Sequence, residues 1–261
     1  MGTAVTTRHD IYAVPGSRAP LYVGGVPPLP VVYLAAGAGI RLRPLTDDRP
    51  KSMLEVGGVS LARRALESLR RAGAGDAVAV TGHRAEAFED VRDLFSTEVF
   101  NERFEDHGNV YSLWCARDHV REGCYIVNSD VLFEDEVARR LVGAEGSVVL
   151  CASDHGVDAE SMKAVAADGR LAELSKDAPV GPHPEYIGLT RIDAAHGERL
   201  AAILDGFVER GTLDVYYEDA LTELAAHVPV RMTPVDGLAW IEIDDHEDLA
   251  RAREDVLARV A

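Results

Sequence analysis

The chain has 261 residues, a hydrophobic fraction of 47% and a formal net charge of −17, enough for one large α/β domain with a sizeable core. So acidic a balance disfavours nucleic acid and anionic membranes as partners, since both attract basic surfaces. No apolar run reaches the ~18 residues of a membrane span, and Cys115, Cys124 and Cys151 show no C-x-x-C spacing, so reduced thiols in a cytoplasmic protein are expected.

Residues 1–30 are rich in Pro and Gly and read as an N-terminal extension, with Ile11 to Val14 and Leu21 to Val23 as candidate short strands. The domain proper is expected over 31–261. An apolar run, Val31 to Ala35, ends in Ala36-Gly37-Ala38-Gly39, a strand feeding a tight loop. Strands and helices then alternate. Helices are expected at Leu61 to Ala72, Glu86 to Phe95, Val110 to Val120 (opened by Asn109) and Asp135 to Val142. Strands are expected at Ala77 to Val80, up to Asn101, at Tyr125 to Val127 and at Ser147 to Cys151. This alternation predicts a Rossmann-like, doubly wound, mostly parallel sheet, whose ligands bind beyond the carboxyl ends of the strands. Gly37, Gly82 and Asp130 all fall at such ends.

After Ser153 the pattern changes. Lys163 to Val165 and Leu171 to Leu174 flank Asp168-Gly169, a hairpin signal, and Tyr186 to Ile192 reads as a third strand of a small antiparallel insertion covering the site. Helices near 194–210 and 218–226 follow. Strands near 229–234 and 239–243 are expected to return to the sheet, and Asp245 to cap a last helix.

The glycines after the first strand let backbone N–H groups close on an anion. Arg41, Arg43, Arg49 and Lys51 follow within 14 residues of Gly37, a local cluster of cations in an acidic chain. Leu42 stands where both a Walker A loop and the dinucleotide fingerprint need glycine, so neither applies. What remains is L-A-A-G-x-G-x-R-L-x-P-L-T over 34–46, with Pro50-Lys51 nine residues past Arg41. This resembles the signature of the sugar-phosphate and phosphocholine nucleotidyltransferases, although Ile40 stands where that family carries Thr or Ser. Asn109-Val110-Tyr111-Ser112-Leu113, Asn128-Ser129-Asp130 and Trp240-Ile241-Glu242-Ile243-Asp244 resemble segments of the CTP-dependent phosphocholine, inositol-phosphate and phosphonate cytidylyltransferases.

The resemblance implies transfer of CMP from CTP to a small phosphate or phosphonate acceptor, with pyrophosphate released and Mg²⁺ required. Phosphocholine as acceptor, or a hexose 1-phosphate with UTP or dTTP, are the alternatives. It implies that Leu34, Ala35, Ala36, Gly37, Ala38, Gly39, Thr81, Gly82, Asn109 and Ser112 bind nucleotide. Arg41 and Lys51 would hold the phosphates, with little part in folding, and Asp130 and Asp244 would hold Mg²⁺. Lys163, Lys176, Glu185, Tyr186, Tyr216, Tyr217, Trp240 and Glu242 would line the acceptor pocket. Ser161 stands where phosphocholine enzymes place an aromatic residue, and Lys163 is expected to repel a trimethylammonium group, so an acceptor other than phosphocholine is expected. A homodimer is compatible with the sequence.

Overall fold

The computed structural model describes residues 11–13, 28–154, 156–167 and 170–260. The candidate strand at Leu21 to Val23 and the Asp168-Gly169 turn lie outside them.

Strand β1 (Ile11–Ala13) precedes β2 (Val31–Ala35), which is buried along its whole length. A short ladder, β3 (Glu55–Val56) with β4 (Val59–Ser60), leads into helix α1 (Leu61–Ala72). Ser60 caps α1 by accepting from the Arg63 N–H, and Gly73 ends it at φ 106°, a left-handed conformation that glycine adopts without a Cβ penalty. β5 (Ala77–Thr81) is followed by a 3₁₀ segment, Ala85–Leu94, interrupted at Val91, where a regular helix was expected. β6 (Phe95–Phe100) comes next.

The helix expected over 110–120 is two pieces, α2 (Asn109–Cys115) and α3 (Arg117–Val120), broken at Ala116. Gly108, not Asn109, holds the N-cap position. A Cβ there would lie 2.1 Å from the Val215 carbonyl oxygen, so only glycine fits this approach. Then follow β7 (Cys124–Asn128), β8 (Val131–Phe133), α4 (Asp135–Gly143) and β9 (Val148–Ser153). The expected hairpin is β10 (Lys163–Ala167) with β11 (Arg170–Ser175), and β12 (Glu185–Ile192) comes after it. Helices α5 (Ala194–Glu209) and α6 (Tyr217–Ala225), strands β13 (Arg231–Pro234) and β14 (Trp240–Glu242), and helices α7 (His246–Arg251) and α8 (Leu257–Val260) complete the chain.

Among the described residues, ten strands form the main sheet, in the order β1-β6-β5-β2-β7-β12-β10-β11, with β9 beside β12 and β13 beside β9. The β6-β5-β2-β7 heart is parallel, as the alternation of strands and helices dictates. Two placements differ from the sequence expectation. β12 is not confined to the insertion: it runs antiparallel between β7 and β9 in the centre of the sheet, with all eight residues buried. β14 does not rejoin the main sheet but pairs antiparallel with β8 in a separate ladder. Both misplacements concern pairing between segments far apart in sequence, which a local pattern does not encode.

The two faces of the sheet bury separate cores. Val31, Tyr33 and Ala35 pack with α1 and α4 on one side, while Val32 and Leu34 pack with α2, α5 and α6 on the other. This alternation follows from the period of two along a strand. Cys115, Cys124 and Cys151 are buried free thiols, as expected. Among the described residues, no helix is long and apolar enough to cross a membrane.

Candidate active site

The carboxyl ends of β2 and β7 open on a cavity of about 290 Å³, lined from the Gly loop and its sequel by Leu34, Ala36, Gly37, Gly39, Arg41 and Lys51 and from α2 and the end of β7 by Asn109, Ser112, Asn128, Ser129 and Asp130. Met162, Lys176, Tyr186, Gly188, Tyr216 and Glu218 line it from the insertion, β12 and the start of α6, and Glu242 and Asp244 from β14 and the residues after it.

Within the Gly loop the two glycines do different jobs. Gly39 turns the chain at φ 57°, and its carbonyl accepts a 2.8 Å hydrogen bond from the Thr46 hydroxyl. A Cβ at Gly37 would meet nothing within 4 Å, so the loop leaves room for a ligand to approach its backbone.

Lys51 is the electrostatic centre. Its Nζ lies 2.8 Å from Asp130 Oδ2 and 2.6 Å from Asp244 Oδ1, and Arg41 lies 2.6 Å from Asp244 Oδ2. Burial pulls the Lys51 ammonium down, but the two carboxylates outweigh it and hold it above the ordinary lysine value. Burial likewise pushes the Asp244 carboxyl up, and Lys51 and Arg41 reverse this and hold it below the usual range. Glu242, on β14 beside them, has no such partner. Its burial, and then the charges of Asp130 and Asp244, push it upward.

Asp130, Glu242 and Asp244 each offer an oxygen within 4.8 Å of the others. Asp130 Oδ1 is buried and has no hydrogen-bond partner. An orphaned carboxylate oxygen among hard oxygen donors fits Mg²⁺, which binds through one or two carboxylates together with phosphates and water. The tertiary structure thus brings Asp130 and Asp244 together from distant parts of the chain, and adds Glu242, which the sequence reading assigned to the acceptor.

Other expected site residues take different places. Arg43 and Arg49 pair with Asp47 and Asp48 outside the cavity, so of the basic cluster only Arg41 and Lys51 reach it. Ala35 faces the opposite core, and Ala38 is not part of the cavity wall. Thr81 is fully buried, its hydroxyl donating to Glu98 at 2.8 Å. Gly82 is hemmed in by Phe104 and the Ala36 carbonyl. Asn109 and Ser112 do line the cavity, but their side chains have internal partners: Asn109 Oδ1 accepts from the Tyr217 N–H at 2.7 Å, and Ser112 Oγ accepts from Asn101 at 3.0 Å.

The acceptor set divides more sharply. Lys163 is fully buried, and its Nζ donates to the carbonyls of Ala159, Ser161 and Lys176 at 3.1, 3.0 and 2.8 Å. It ties the mouth of the hairpin together and does not face the cavity, so the expected repulsion of a trimethylammonium group has no geometric basis. Tyr217 is a core residue whose hydroxyl bridges Tyr186 (2.7 Å) and Asn128 (2.9 Å). Trp240 packs against the core beneath the sheet. Glu185 pairs in register with Lys163, and burial pushes its carboxyl up to about 7. Lys176, Tyr186 and Tyr216 do line the cavity.

Gly188 and Glu218, neither given a role of its own from the sequence, also line the cavity. Gly188 sits at φ 75° in a bulge of β12, where a Cβ would lie 2.7–2.8 Å from the Asn128 side chain. Glu218 faces the cavity from the first turn of α6. An acid there reads in sequence as ordinary helix N-terminal charge, so nothing local marks it.

A MobA-like NTP transferase domain model matches residues 31–202. The chain belongs to this family. Its enzymes are nucleotidyltransferases, and the relatives found include several cytidylyltransferases. The chain is 24% identical over 226 residues to a choline-phosphate cytidylyltransferase of Streptococcus pneumoniae, covering 85% of this chain and 96% of that protein. It is 24% identical over 237 residues to a 2-aminoethylphosphonate cytidylyltransferase of Lancefieldella rimae, covering 84% and 89%. It is 30% identical over 243 residues to a CMP-5'-(3-aminopropyl)phosphonate synthase of Streptomyces rubellomurinus, covering 86% of this chain but 38% of that longer protein. The inositol-1-phosphate CTP transferase of T. maritima superposes with a TM-score of 0.76 at 21% identity, covering 89% of this chain and 96% of that one. The Rossmann-like nucleotidyltransferase fold expected from the sequence is therefore the fold observed.

Proposed function

We propose that the chain transfers CMP from CTP to an oxygen of a small phosphate or phosphonate acceptor, releasing pyrophosphate in a Mg²⁺-dependent reaction. The observation that carries this reading is the junction of Lys51 and Arg41 with Asp130, Glu242 and Asp244 at the mouth of the Gly loop. A site built for a neutral ligand has no use for two cations and three carboxylates there. The choice of CTP rests on the relatives, and the acceptor class on what they share.

The chemistry follows from charge. The acceptor oxygen is already largely ionised near neutral pH, so no general base is needed. The protein's task is to align it with the α-phosphorus and to spread the charge that grows on the leaving pyrophosphate. Lys51 and Arg41 supply that charge, and the open backbone at Gly37 lets N–H groups approach the phosphates. Asp130 and Asp244, with Glu242 beside them, would hold Mg²⁺. An ion held there would supply Lewis-acid charge to the phosphate oxygens. Until phosphates arrive, the two aspartates keep Lys51 extended into the cavity.

The test is pyrophosphate release with each nucleoside triphosphate, MgCl₂ and a panel of phosphate and phosphonate acceptors. CTP is expected to be preferred by tenfold or more. A preference for UTP, dTTP or ATP would overturn the assignment, and the UTP and dTTP arms with hexose 1-phosphates test the sugar-phosphate alternative.

A further inference from the structure

His83 holds the Gly loop from both of its ends. Its backbone N–H donates to the Ala36 carbonyl at 3.0 Å, and its ring Nε2 lies 2.8 Å from the Thr46 carbonyl. A carbonyl only accepts, so Nε2 carries the hydrogen. Thr46, fully buried, donates its hydroxyl in turn to the Gly39 carbonyl at 2.8 Å. Gly82 makes the approach possible, since a Cβ there would lie 2.8 Å from the Ala36 oxygen and 2.7 Å from Phe104. The Phe104 ring packs 6.2 Å from the His83 ring, centroid to centroid. Arg84, next in the chain, has φ 51°, the one positive φ at a non-glycine residue among those described, and its Nε donates to the Asp47 carbonyl at 3.0 Å. A side chain held in the left-handed region is strained and persists only where its surroundings impose it. Every one of these bonds takes a carbonyl. Among the described residues, the N–H groups of Gly37, Ala38, Gly39, Ile40 and Arg41 have no acceptor.

We propose that His83 is a positioning residue for the transfer: it staples the Gly loop by its carbonyls, and so sets the loop's N–H groups toward the triphosphate before the nucleotide arrives. This deepens the proposed cytidylyl transfer and rests on it for the identity of the ligand. The reason is the planarity of the peptide unit, whose C=O and N–H point in opposite directions. The Ala36 carbonyl shares a plane with the Gly37 N–H, and the Gly39 carbonyl with the Ile40 N–H. Drawing each carbonyl to its donor turns the paired N–H the other way. Without the staple, either peptide could rotate and present its oxygen to a phosphate, which repels it. Gly37 and Gly39 make such rotation easy, because glycine has the widest choice of backbone conformations. Fixing the loop in advance spares the ligand that ordering cost. His83 touches no substrate in this role. It acts through Ala36, Thr46 and, by way of the Thr46 hydroxyl, Gly39.

The experiment uses the full chain and three variants, each checked by its melting curve. H83L removes the ring donor, H83Q keeps a donor nitrogen at the same reach, and T46V removes the hydroxyl on Gly39. Three readouts are taken: calorimetric binding of a non-hydrolysable CTP analogue with MgCl₂, the KM values for CTP and for a phosphonate acceptor, and hydrogen exchange at the amides of Leu42, Arg43 and Leu45, which bond back into the loop. H83L is expected to bind the analogue tenfold or more weakly, to raise KM for CTP while the acceptor KM stays within threefold, and to exchange these amides at least tenfold faster. H83Q is expected to stay within threefold of wild type throughout, which loss of packing alone would not allow. T46V is expected to weaken the analogue at least threefold, and H83L with T46V to be no worse than about threefold beyond H83L, since one staple is broken only once. A folded H83L that binds the analogue within threefold of wild type overturns the proposal. So does an H83Q as impaired as H83L, or an equal rise in both KM values. Should H83L not fold, T46V decides: weaker binding supports the staple and unchanged binding refutes it. Wild type that binds no nucleoside triphosphate would refute the transferase reading instead. The exchange rates then decide the staple alone, faster exchange in H83L but not H83Q supporting it and equal exchange refuting it.

Discussion

Replacing Lys51 with Met tests the electrostatic design of the site directly. The Lys51 ammonium lies within 2.8 Å of both Asp130 and Asp244, and the three side chains are only 15%, 17% and 25% exposed. Removing it leaves Asp130, Glu242 and Asp244, with oxygens within 4.8 Å of one another, balanced only by the exposed Arg41 and by Lys176 across the cavity. Breaking a buried pair by deleting one partner costs about 3–5 kcal/mol. Residual exposure and Arg41 argue for the lower end, about 3 kcal/mol in EDTA. For a domain this size that is a fall of roughly 6–12 °C in melting temperature. Mg²⁺ supplies the missing charge, so adding it is expected to recover most of the loss in Lys51→Met and to shift wild type much less. The pH dependence has a definite sign. Asp244 is held below its ordinary value, so its contribution is present above the unfolded pKa and is lost as pH falls through the folded one. The gap between wild type and variant is therefore expected to narrow under acid, where the carboxylates protonate. Thermal melts in EDTA and in MgCl₂, at several pH values, decide the matter. A variant melting within 2 °C of wild type in EDTA would refute the counter-ion role and leave the sequence expectation, a lysine that serves turnover alone.

Asp244→Asn, which unhooks both Arg41 and Lys51, is expected to lower kcat/KM by about 10²–10³-fold, the ~2.7–4 kcal/mol of one lost electrostatic contact. Near-normal turnover in Mg²⁺ would dismiss its role. Lys163→Met leaves three carbonyls without their donor and is expected to cost about 3 kcal/mol; a wild-type melting curve would show that Lys163 is free after all. Glu218 is pushed by burial up to about 7 from an ordinary 4.5. Its neutral form thus favours the fold, a contribution complete below pH 4.5 and lost as pH rises through 7. Glu218→Gln is expected to be neutral for stability at pH 4.5 and stabilising by about 3 kcal/mol at pH 8. An equal effect at both pH values in denaturant titrations would contradict this sign.

The sequence by itself determined the β2 strand, the loop at Gly37 and Gly39, the two distant cations Arg41 and Lys51 and the acids at 130 and 244. These are legible because a strand end, a small-residue turn and charge at fixed spacing are local properties. It also determined the parallel heart of the sheet, since alternating strands and helices leave few other ways to bury both faces. Only the tertiary structure decided where each polar side chain turns. Thr81 and Lys163 carry the right chemistry at plausible positions, but Glu98 and three backbone carbonyls claim them. Glu218 looks like a routine helix-start acid until α6 is seen to press its carboxyl against the cavity. Pairing across more than a hundred residues, β14 with β8 and Lys51 with Asp244, is likewise set by packing. A polar group's role is fixed by which partner removes it from water, and that partner is chosen by the fold as a whole.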